Sequence, residues 1–302
     1  MPEFRVTPSF WSNASARGSS MILLATLAWS FAGLLTRMLS IEVSTAVALR
    51  ALAGGAFLFI YLLICRRRSA FRQLFAIGRV GWIVVLLSII AQAATTAGLF
   101  LTSVAHVSVI YATCPFVAAL IARFWLGEVI PRMTAMAILA SICGVVLAVA
   151  GATGSSTLLG DAVAFLMTVS FAIIIVLSKA YPGLKILEIT ILGAFLTFLL
   201  FLPFSSTQGL DAWNVGVVIV YGFSNMVLAY LLFLRGARYV SAATSGLIVT
   251  LEIALSPYWV WLFFGEKIDT LTFIGGVIVT AAVAGHLVLM SSRSARAVRL
   301  SD

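Results

Sequence analysis

The sequence predicts an all-α polytopic membrane protein whose ten transmembrane helices form two inverted five-helix repeats. The first of three supporting observations is the composition, since 62% of the 302 residues are hydrophobic and only 10% are charged, compared with roughly 25% charged residues in soluble domains. The apolar runs are continuous rather than alternating, which excludes a transmembrane β-barrel. Ten spans of about 20 residues fill most of this length, so the connections are too short for an added ATP-binding domain.

Ten apolar runs predict the helices. In chain order they cover residues 20–39, 43–64, 80–101, 106–126, 133–151, 160–179, 186–204, 213–234, 240–264 and 271–290. The first repeat then spans residues 20–151 and the second spans 160–290, with predicted tails at 1–19 and 291–302. The turn-forming stretch from Gly151 to Ser156 is predicted to connect the repeats. In the longer connection 66–79, apolar residues with helical spacing fit a short interfacial helix, although a plain loop fits as well.

Positive charges give the second observation and predict the orientation. With the N-terminus placed in the cytoplasm, 16 of the 19 Lys and Arg residues fall in cytoplasmic segments, and only Arg37, Arg50 and Lys267 fall on the other side. Lys and Arg are enriched in the cytoplasmic loops of membrane proteins. We therefore expect ten spans with both termini in the cytoplasm. The net charge of +9 reports this topology and not a nucleic-acid partner.

An internal repeat is the third observation. The Leu-Gly-Glu motif at residues 126–128 closes the fourth predicted helix, and Phe-Gly-Glu at 264–266 closes the ninth, 138 residues later. Likewise, Ser-Phe-Ala occurs at residues 30–32 of the first helix and at 170–172 of the sixth. Because each unit has an odd number of helices, the second unit must insert upside down relative to the first. Inverted repeats of this kind are typical of transporters, which bind substrate near the midplane between the halves.

With ten helices in two halves, and Gly-Glu at the end of each fourth helix, the chain resembles the EamA-type exporters of the drug/metabolite transporter superfamily. Arg50, Pro115 and Gly144 support this resemblance, which covers essentially the whole helical region. One departure is that Ile253 stands where a second proline would match Pro115, and Pro257 follows four residues later. We therefore expect the kink in the ninth helix to be displaced.

Within this superfamily, the chain is most similar to bacterial amino acid exporters of the aromatic type. The resemblance implies a basket-like bundle in the lipid bilayer, alternating access around a midplane cavity, and no bound cofactor. It implies an amino acid or related metabolite as the small-molecule substrate, with a broad or aromatic preference. A monomer suffices because one chain holds both halves. Efflux of hydrophobic cations or drugs is the alternative within the same class.

Polar and aromatic side chains within the spans are candidate cavity residues. Gln92 and Asn225 place amides near mid-membrane on helices 3 and 8, which the repeat relates to each other. An amide in the bilayer core is costly unless it bonds to another helix or faces water. Hydroxyl residues have the same two interpretations, and they also bond back to their own helix. The further candidates are Thr95, Ser170, Trp29, Tyr111 and Tyr230.

Four charged residues complete the candidate set. Arg50 lies about 10 Å into helix 2 and needs a partner, which Glu42 or a substrate carboxylate would supply. Glu252 lies near the middle of helix 9, where it either joins neighbouring helices or faces the cavity and receives a substrate ammonium group or a proton. Glu128 and Glu266 end helices 4 and 9, where they either anchor these turns or take part in gating.

Catalytic and metal-binding patterns are missing from the sequence. It contains no HExxH and no Walker A motif, and the spans hold too few titratable residues for acid–base catalysis. An intramembrane enzyme is therefore disfavoured. His106 is expected at the outer end of helix 4 and His286 toward the inner end of helix 10. Because the two histidines are far apart, we expect no metal site. The three cysteines have no metal-ligand spacing and are interpreted as apolar packing residues.

Overall fold

The computed structural model describes residues 8–66, 70–150, 158–240 and 242–299, and these ranges form helices and turns without a strand. Their ten principal helices are α1 (Pro8–Ser30 and Ala32–Arg37), α2 (Val43–Arg66), α3 (Gly78–Leu101), α4 (Val104–Ala112 and Cys114–Trp125), α5 (Arg132–Ala150), α6 (Leu158–Ala180), α7 (Ile186–Phe201), α8 (Ala212–Gly222, Phe223–Ala229 and Tyr230–Gly236), α9 (Ala242–Val249 and Leu251–Phe264) and α10 (Thr270–Arg299). The predicted all-α fold is thereby confirmed.

Membrane-spanning length follows from the apolar runs. Within the described residues, nine helical regions are long and apolar enough to cross a membrane, and a shorter apolar region at Thr270–His286 supplies the tenth. The helix boundaries agree with the predicted runs to within a few residues, except that α1 starts at Pro8 rather than at residue 20 and that α10 continues to Arg299. The predicted connection from Gly151 to Ser156 lies outside the described residues, as do Arg67 and Arg68.

The connection between α2 and α3 contains the short helix Ala70–Phe75. Leu74 of this helix is buried, whereas Phe71 and Phe75 are exposed. Exposed apolar side chains on one side of a short helix are typical of a segment that lies at the membrane interface. Of the two predictions made for this connection, the structure therefore supports the interfacial helix.

α4 and α9 are interrupted at equivalent places in the two repeats. The breaks lie at Thr113 in α4 and at Thr250 in α9. In each case the threonine hydroxyl donates to the carbonyl oxygen three residues earlier, at 2.7 Å to Ile110 and at 2.6 Å to Leu247. Such local side-chain bonds compete with the regular hydrogen bonds of a helix. The two breaks therefore have the same local cause.

Proline lies next to only one of these breaks. Pro115 lies just after the break in α4, where its missing N–H costs nothing at the start of the second segment. The break in α9 lies at Thr250, three residues before Ile253, whereas Pro257 lies inside the segment Leu251–Phe264. In α9 the threonine at the equivalent place interrupts the helix without a nearby proline.

The two ends of the bundle each carry an ion pair that identifies them. At one end, called the Arg37 face, Arg37 at the end of α1 lies beside the end of α3, the start of α4 and the end of α9. At the other end, called the Lys179 face, Lys179 near the end of α6 contacts Glu128 after the end of α4. Thus α4 starts at the Arg37 face, whereas α9 ends there. The two five-helix halves run in opposite directions, as predicted.

Glycine permits the closest contacts between the halves. α5 and α10 cross where Gly144 faces Gly275, and a Cβ at Gly144 would lie 2.8 Å from the carbonyl oxygen of Gly275. α6 approaches the end of α3 in the same way, since a Cβ at Gly160 would lie 2.7 Å from the carbonyl oxygen of Leu101. In lipid, small residues allow helices to approach closely and gain van der Waals contact.

Candidate functional site

Arg50 lies in the interior of the bundle without an acidic partner among the described residues. Its side chain is 6% exposed, and its Nη1 donates to Thr96 Oγ1 at 2.8 Å and to the carbonyl oxygen of Gln92 at 3.4 Å. The guanidinium carbon lies 4.6 Å from the centre of the Tyr221 ring, which is a cation–π contact. The suggested ion pair with Glu42 does not form, because Glu42 is exposed just before α2.

Unpaired polar atoms distinguish this arginine cluster, which consists of Arg50, Gln92, Thr96 and Tyr221. Arg50 Nε is buried without a hydrogen-bond partner, and so are Nε2 and Oε1 of Gln92. A Cβ at Gly193 of α7 would lie 3.1 Å from Gln92 Nε2, so the amide faces α7 as well. A buried cation in a membrane protein normally pairs with an anion. The cluster has the chemistry to receive a small anionic group such as a carboxylate.

Asn225 joins α8 to α1. It lies in the π-helical segment Phe223–Ala229, and its Nδ2 donates to the carbonyl oxygen of Ala28 at 3.1 Å. Trp29 Nε1 donates in the opposite direction, to the carbonyl oxygen of Asn225, also at 3.1 Å. Of the two interpretations open for Asn225, the structure supports the interhelical bond. Gln92, its counterpart in the first half, has no such side-chain bond.

Glu252 is the unpaired acidic residue of α9. It lies in the first turn after the break at Thr250, is partly exposed, and forms no hydrogen bond or ion pair within the described residues. The segment of α9 that carries Glu252 packs against the segment of α4 that carries Tyr111. The Tyr111 ring packs edge-on against Phe171 of α6, with ring centres 5.8 Å apart. We call Tyr111, Phe171 and Glu252 the glutamate cluster.

The other predicted cavity residues form local contacts. Thr95 Oγ1 donates to the carbonyl oxygen of Ala91 at 2.7 Å, and Ser170 Oγ donates to that of Leu166 at 2.8 Å, so both bond to their own helix. Tyr230 of α8 has a buried hydroxyl without a hydrogen-bond partner. In the described part of the chain, no hydrogen bond links these three side chains to either cluster. Their place on a cavity wall stays a prediction.

Glu266, one of the two predicted helix-end glutamates, is held by Arg37. Arg37 Nε lies 2.8 Å from Glu266 Oε2, and the two side chains are 21% and 20% exposed. The same guanidinium donates from Nη1 to the carbonyl oxygen of Leu99 at 2.5 Å and from Nη2 to that of Thr102 at 3.0 Å. Glu266 Oε1 also accepts from the backbone N–H of Val104 at 3.1 Å. These bonds tie together α1, α3, α4 and α9.

Glu128, the other helix-end glutamate, is held by Lys179. Their Nζ and Oε1 atoms lie 2.5 Å apart, and the two side chains are 64% exposed for the lysine and 40% for the glutamate. Directly before the two glutamates, Gly127 and Gly265 have φ angles of 69° and 65°. This left-handed conformation ends a helix and favours glycine. The same kind of helix ending therefore positions both carboxylates.

A buried histidine–aspartate pair at the Arg37 face escaped the sequence analysis. His106 Nδ1 lies 3.0 Å from Asp161 Oδ1, and His106 Nε2 lies 2.9 Å from Thr272 Oγ1. Thr102 Oγ1 donates to the same aspartate oxygen at 2.8 Å. The pair therefore joins α4, α6 and α10, since His106 of α4 has a partner in each of the other two helices. The predicted topology places the starts of α4 and α6 at one face, but it does not tell which helices are neighbours there.

Asp269, just before α10, extends this polar group. It accepts a hydrogen bond from the backbone N–H of Thr272 at 2.9 Å and another from the Thr272 hydroxyl. Partial burial alone would raise the pKa of Asp269, but these hydrogen bonds and the nearby His106 ring lower it below its usual value. The ionised carboxylate thus stabilises the first turn of α10.

The charged side chains described above lie in the interior of the bundle and at its two ends. Among the residues that the structure describes, no group of three or more His, Cys, Asp or Glu side chains is arranged to hold a metal ion. The interior provides a buried cation at the arginine cluster and an unpaired anion at the glutamate cluster. Each end of the bundle adds an ion pair between helices of different halves.

Comparisons with known proteins agree with this architecture. The EamA-like transporter family matches residues 16–150 and 158–288, which are the two halves of the chain. A crystal structure with 17% sequence identity has a TM-score of 0.62 and covers 94% of this chain and 98% of its own. At this identity the likeness shows the fold alone. A search of curated proteins finds no match.

Proposed function

Because the chain belongs to the EamA-like transporter family, we propose that it exports amino acids, with a broad or aromatic preference, across the bacterial inner membrane by alternating access. The family accounts for a multi-pass membrane protein that carries small molecules. The amino acid substrate is supported by a separate observation. Arg50 and Glu252 are interior charges of opposite sign, and neither has an ionic partner among the described residues. A zwitterionic substrate would satisfy both.

The depths of these two charges fit a small zwitterion. Arg50 lies seven residues beyond the start of α2, and Glu252 lies twelve residues before the end of α9, both counted from the Arg37 face. With a helical rise of about 1.5 Å per residue, the depths are about 10 Å and about 18 Å. The difference of about 8 Å in depth accommodates a short molecule with a hydrogen bond of about 3 Å at either end.

Each charged group has a specific part in this proposal. Arg50 receives the carboxylate, because its Nε and Nη2 carry no hydrogen bond in the described chain and suit a bidentate contact. The neighbouring Gln92 amide offers a further donor. Glu252 receives the ammonium group. Tyr111 and Phe171 supply aromatic surface beside Glu252, which favours substrates with aromatic side chains.

Efflux of hydrophobic cations or drugs is the second candidate function. The glutamate cluster favours it, since an unpaired carboxylate beside two aromatic rings suits an organic cation. The arginine cluster favours the amino acid instead. A purely cationic substrate would leave Arg50 buried without an anion, which is unfavourable in a membrane.

We further propose that the Lys179 face lies in the cytoplasm together with both termini. Support comes from the basic residues at the helix ends of that face, such as Arg66, Lys185 and Arg235, compared with Arg37 and Lys267 at the other. A monomer is sufficient for this function, because the two halves that enclose the substrate belong to one chain. The proposed partners are the lipid bilayer and the small-molecule substrate, and no cofactor is proposed.

Counterflow of radiolabelled amino acids in proteoliposomes tests the substrate. We expect saturable exchange by the wild type. In Arg50→Gln the apparent affinity for the amino acid is expected to fall by roughly tenfold or more, because a hydrogen bond to a charged group contributes about 1.5–3 kcal/mol. Arg123→Gln is the matched control, since this arginine of α4 is exposed, and its exchange is expected to equal that of the wild type. Dye efflux without exchange of any amino acid would reject the amino acid in favour of the cation.

A further inference from the structure

The ion pairs at the two faces are equivalent under the internal repeat. Glu128 and Glu266 lie 138 residues apart, and each follows a left-handed glycine at the end of the fourth helix of its repeat. Arg37 is the last residue of α1, and Lys179 lies in the last turn of α6, so both end the first helix of a repeat. Each ion pair therefore joins the first helix of one repeat to the fourth helix of the other.

The two pairs differ in how firmly they close their face. The Arg37–Glu266 pair is partly buried, and it is reinforced by two backbone carbonyl groups and one backbone N–H. The Lys179–Glu128 pair is exposed, and no further hydrogen bond reaches either side chain within the described residues. Exposed pairs contribute little to stability, whereas partly buried pairs with extra donors contribute more. The Arg37 face is thus the more tightly closed end.

We propose that these two ion pairs are the alternating gates of the transporter and that they exchange the firm and the weak form. This inference rests on the proposed transport function. When the Arg37 face opens, Arg37 and Glu266 separate, and Lys179–Glu128 tightens into the arrangement that Arg37–Glu266 has in this structure. A small difference in free energy between two conformations decides their populations. The face with the stronger ion pair is therefore the closed one.

The repeat also specifies the backbone groups that the tightened pair would use. α9 starts 138 residues after α4. The Arg37 guanidinium binds the carbonyl groups of Leu99 and Thr102. The residues that lie 138 positions after these two are Ala237 and Val240, which follow α8. In the state open at the Arg37 face, Lys179 binds these carbonyl groups, and Glu128 accepts from the backbone N–H of Ala242.

Distances between spin labels, measured in nanodiscs, test the gates without any substrate. One pair of labels at Glu42 and Lys267 spans the Arg37 face, and a second pair at Val129 and Tyr181 spans the Lys179 face. All four side chains are exposed. The labels are introduced into a variant in which alanine replaces the three natural cysteines, and transport by that variant is checked by counterflow.

Matched substitutions at the two glutamates give opposite expectations. Glu266→Gln is expected to raise the ratio of long to short distances at the Arg37 face by roughly fivefold or more, the usual size of a coupling between two states, and to shorten distances at the Lys179 face. Glu128→Gln is expected to do the reverse at both faces. In an Arg37→Gln background, Glu266→Gln is expected to shift the distribution much less than it does in the wild type, because the pair is already broken.

Distance shifts of the same sign in the two glutamine variants, or no shift in either, would contradict the proposal that the two ion pairs are gates. An equal shift in the Arg37→Gln background and in the wild type would show that Arg37 and Glu266 do not act as a pair. The readout is also independent of the substrate. If the two glutamine variants shift the distances in opposite directions but the protein exchanges no amino acid, the proposed gates are supported and only the proposed substrate is rejected.

Discussion

At the scale of single residues, Glu252 carries the sharpest functional expectation. Glu252→Gln keeps the shape of the side chain and removes its charge, so the protein is expected to fold normally. Apparent affinity for amino acids is expected to fall by roughly tenfold, because the ammonium group loses a charge-assisted hydrogen bond. Counterflow assays measure this change, with Glu42→Gln at an exposed site as the control. If Glu252→Gln and the wild type had equal affinity and the same substrate ranking, Glu252 would be shown to be a packing residue.

Asp269 gives a prediction about pH. Its pKa is lowered in the folded protein, so its carboxylate contributes stability that is complete above the unfolded-state pKa and is lost as pH falls through the folded-state pKa. Thermal unfolding in detergent is therefore expected to show a lower melting temperature for Asp269→Asn at neutral pH. The difference from the wild type is expected to shrink below the model-compound value of 3.8. A difference that stays unchanged well below that value would contradict the ionised carboxylate.

At the scale of helices, the joint between α1 and α8 predicts a stability difference between two related amides. Asn225→Ala removes an interhelical hydrogen bond and is expected to cost about 0.6 kcal/mol, the average for such bonds in membrane proteins. Gln92→Ala removes no side-chain hydrogen bond and is expected to cost less. Unfolding of the two purified variants measures the difference. A larger loss in Gln92→Ala would show that its amide has a structural partner.

The crossing of α5 and α10 predicts the effect of a single methyl group. In Gly144→Ala the new Cβ would press on the backbone of α10, and overpacking of this kind costs about 1–3 kcal/mol. Gly216→Ala in α8 is the control, because nothing lies within 4 Å of a Cβ there. Thermal unfolding is expected to separate the two variants clearly. Equal melting temperatures would mean that the helices move apart at little cost.

At the scale of the whole molecule, orientation is the property to measure. A cysteine at Gln208, exposed in the connection from α7 to α8 at the Arg37 face, is expected to react with a membrane-impermeant maleimide in intact cells. A cysteine at Val129, exposed at the Lys179 face, is expected to react only after permeabilisation. The reverse pattern would invert the proposed orientation and remove its support for export.

The sequence was sufficient for the helices because apolar runs of bilayer length leave few alternatives. It was insufficient for the partners of the charged residues. Arg37 and Glu266 are 229 residues apart, and their contact depends on how ten helices pack, which no local pattern reports. The break at Thr250 was missed for a different reason, since a threonine that bonds to its own helix has no distinctive spacing.

The glycine contact between α5 and α10 has a consequence for how the protein is made. Chains enter the membrane from the N-terminus during synthesis, so α5 is inserted while α6 to α10 are still to be synthesised. Until α10 arrives, the surface around Gly144 is covered by lipid tails rather than by a helix. The first half is therefore in the bilayer before its partner helix has been synthesised. A chain that ends before α10 would therefore leave the glycine surface of α5 without its partner helix.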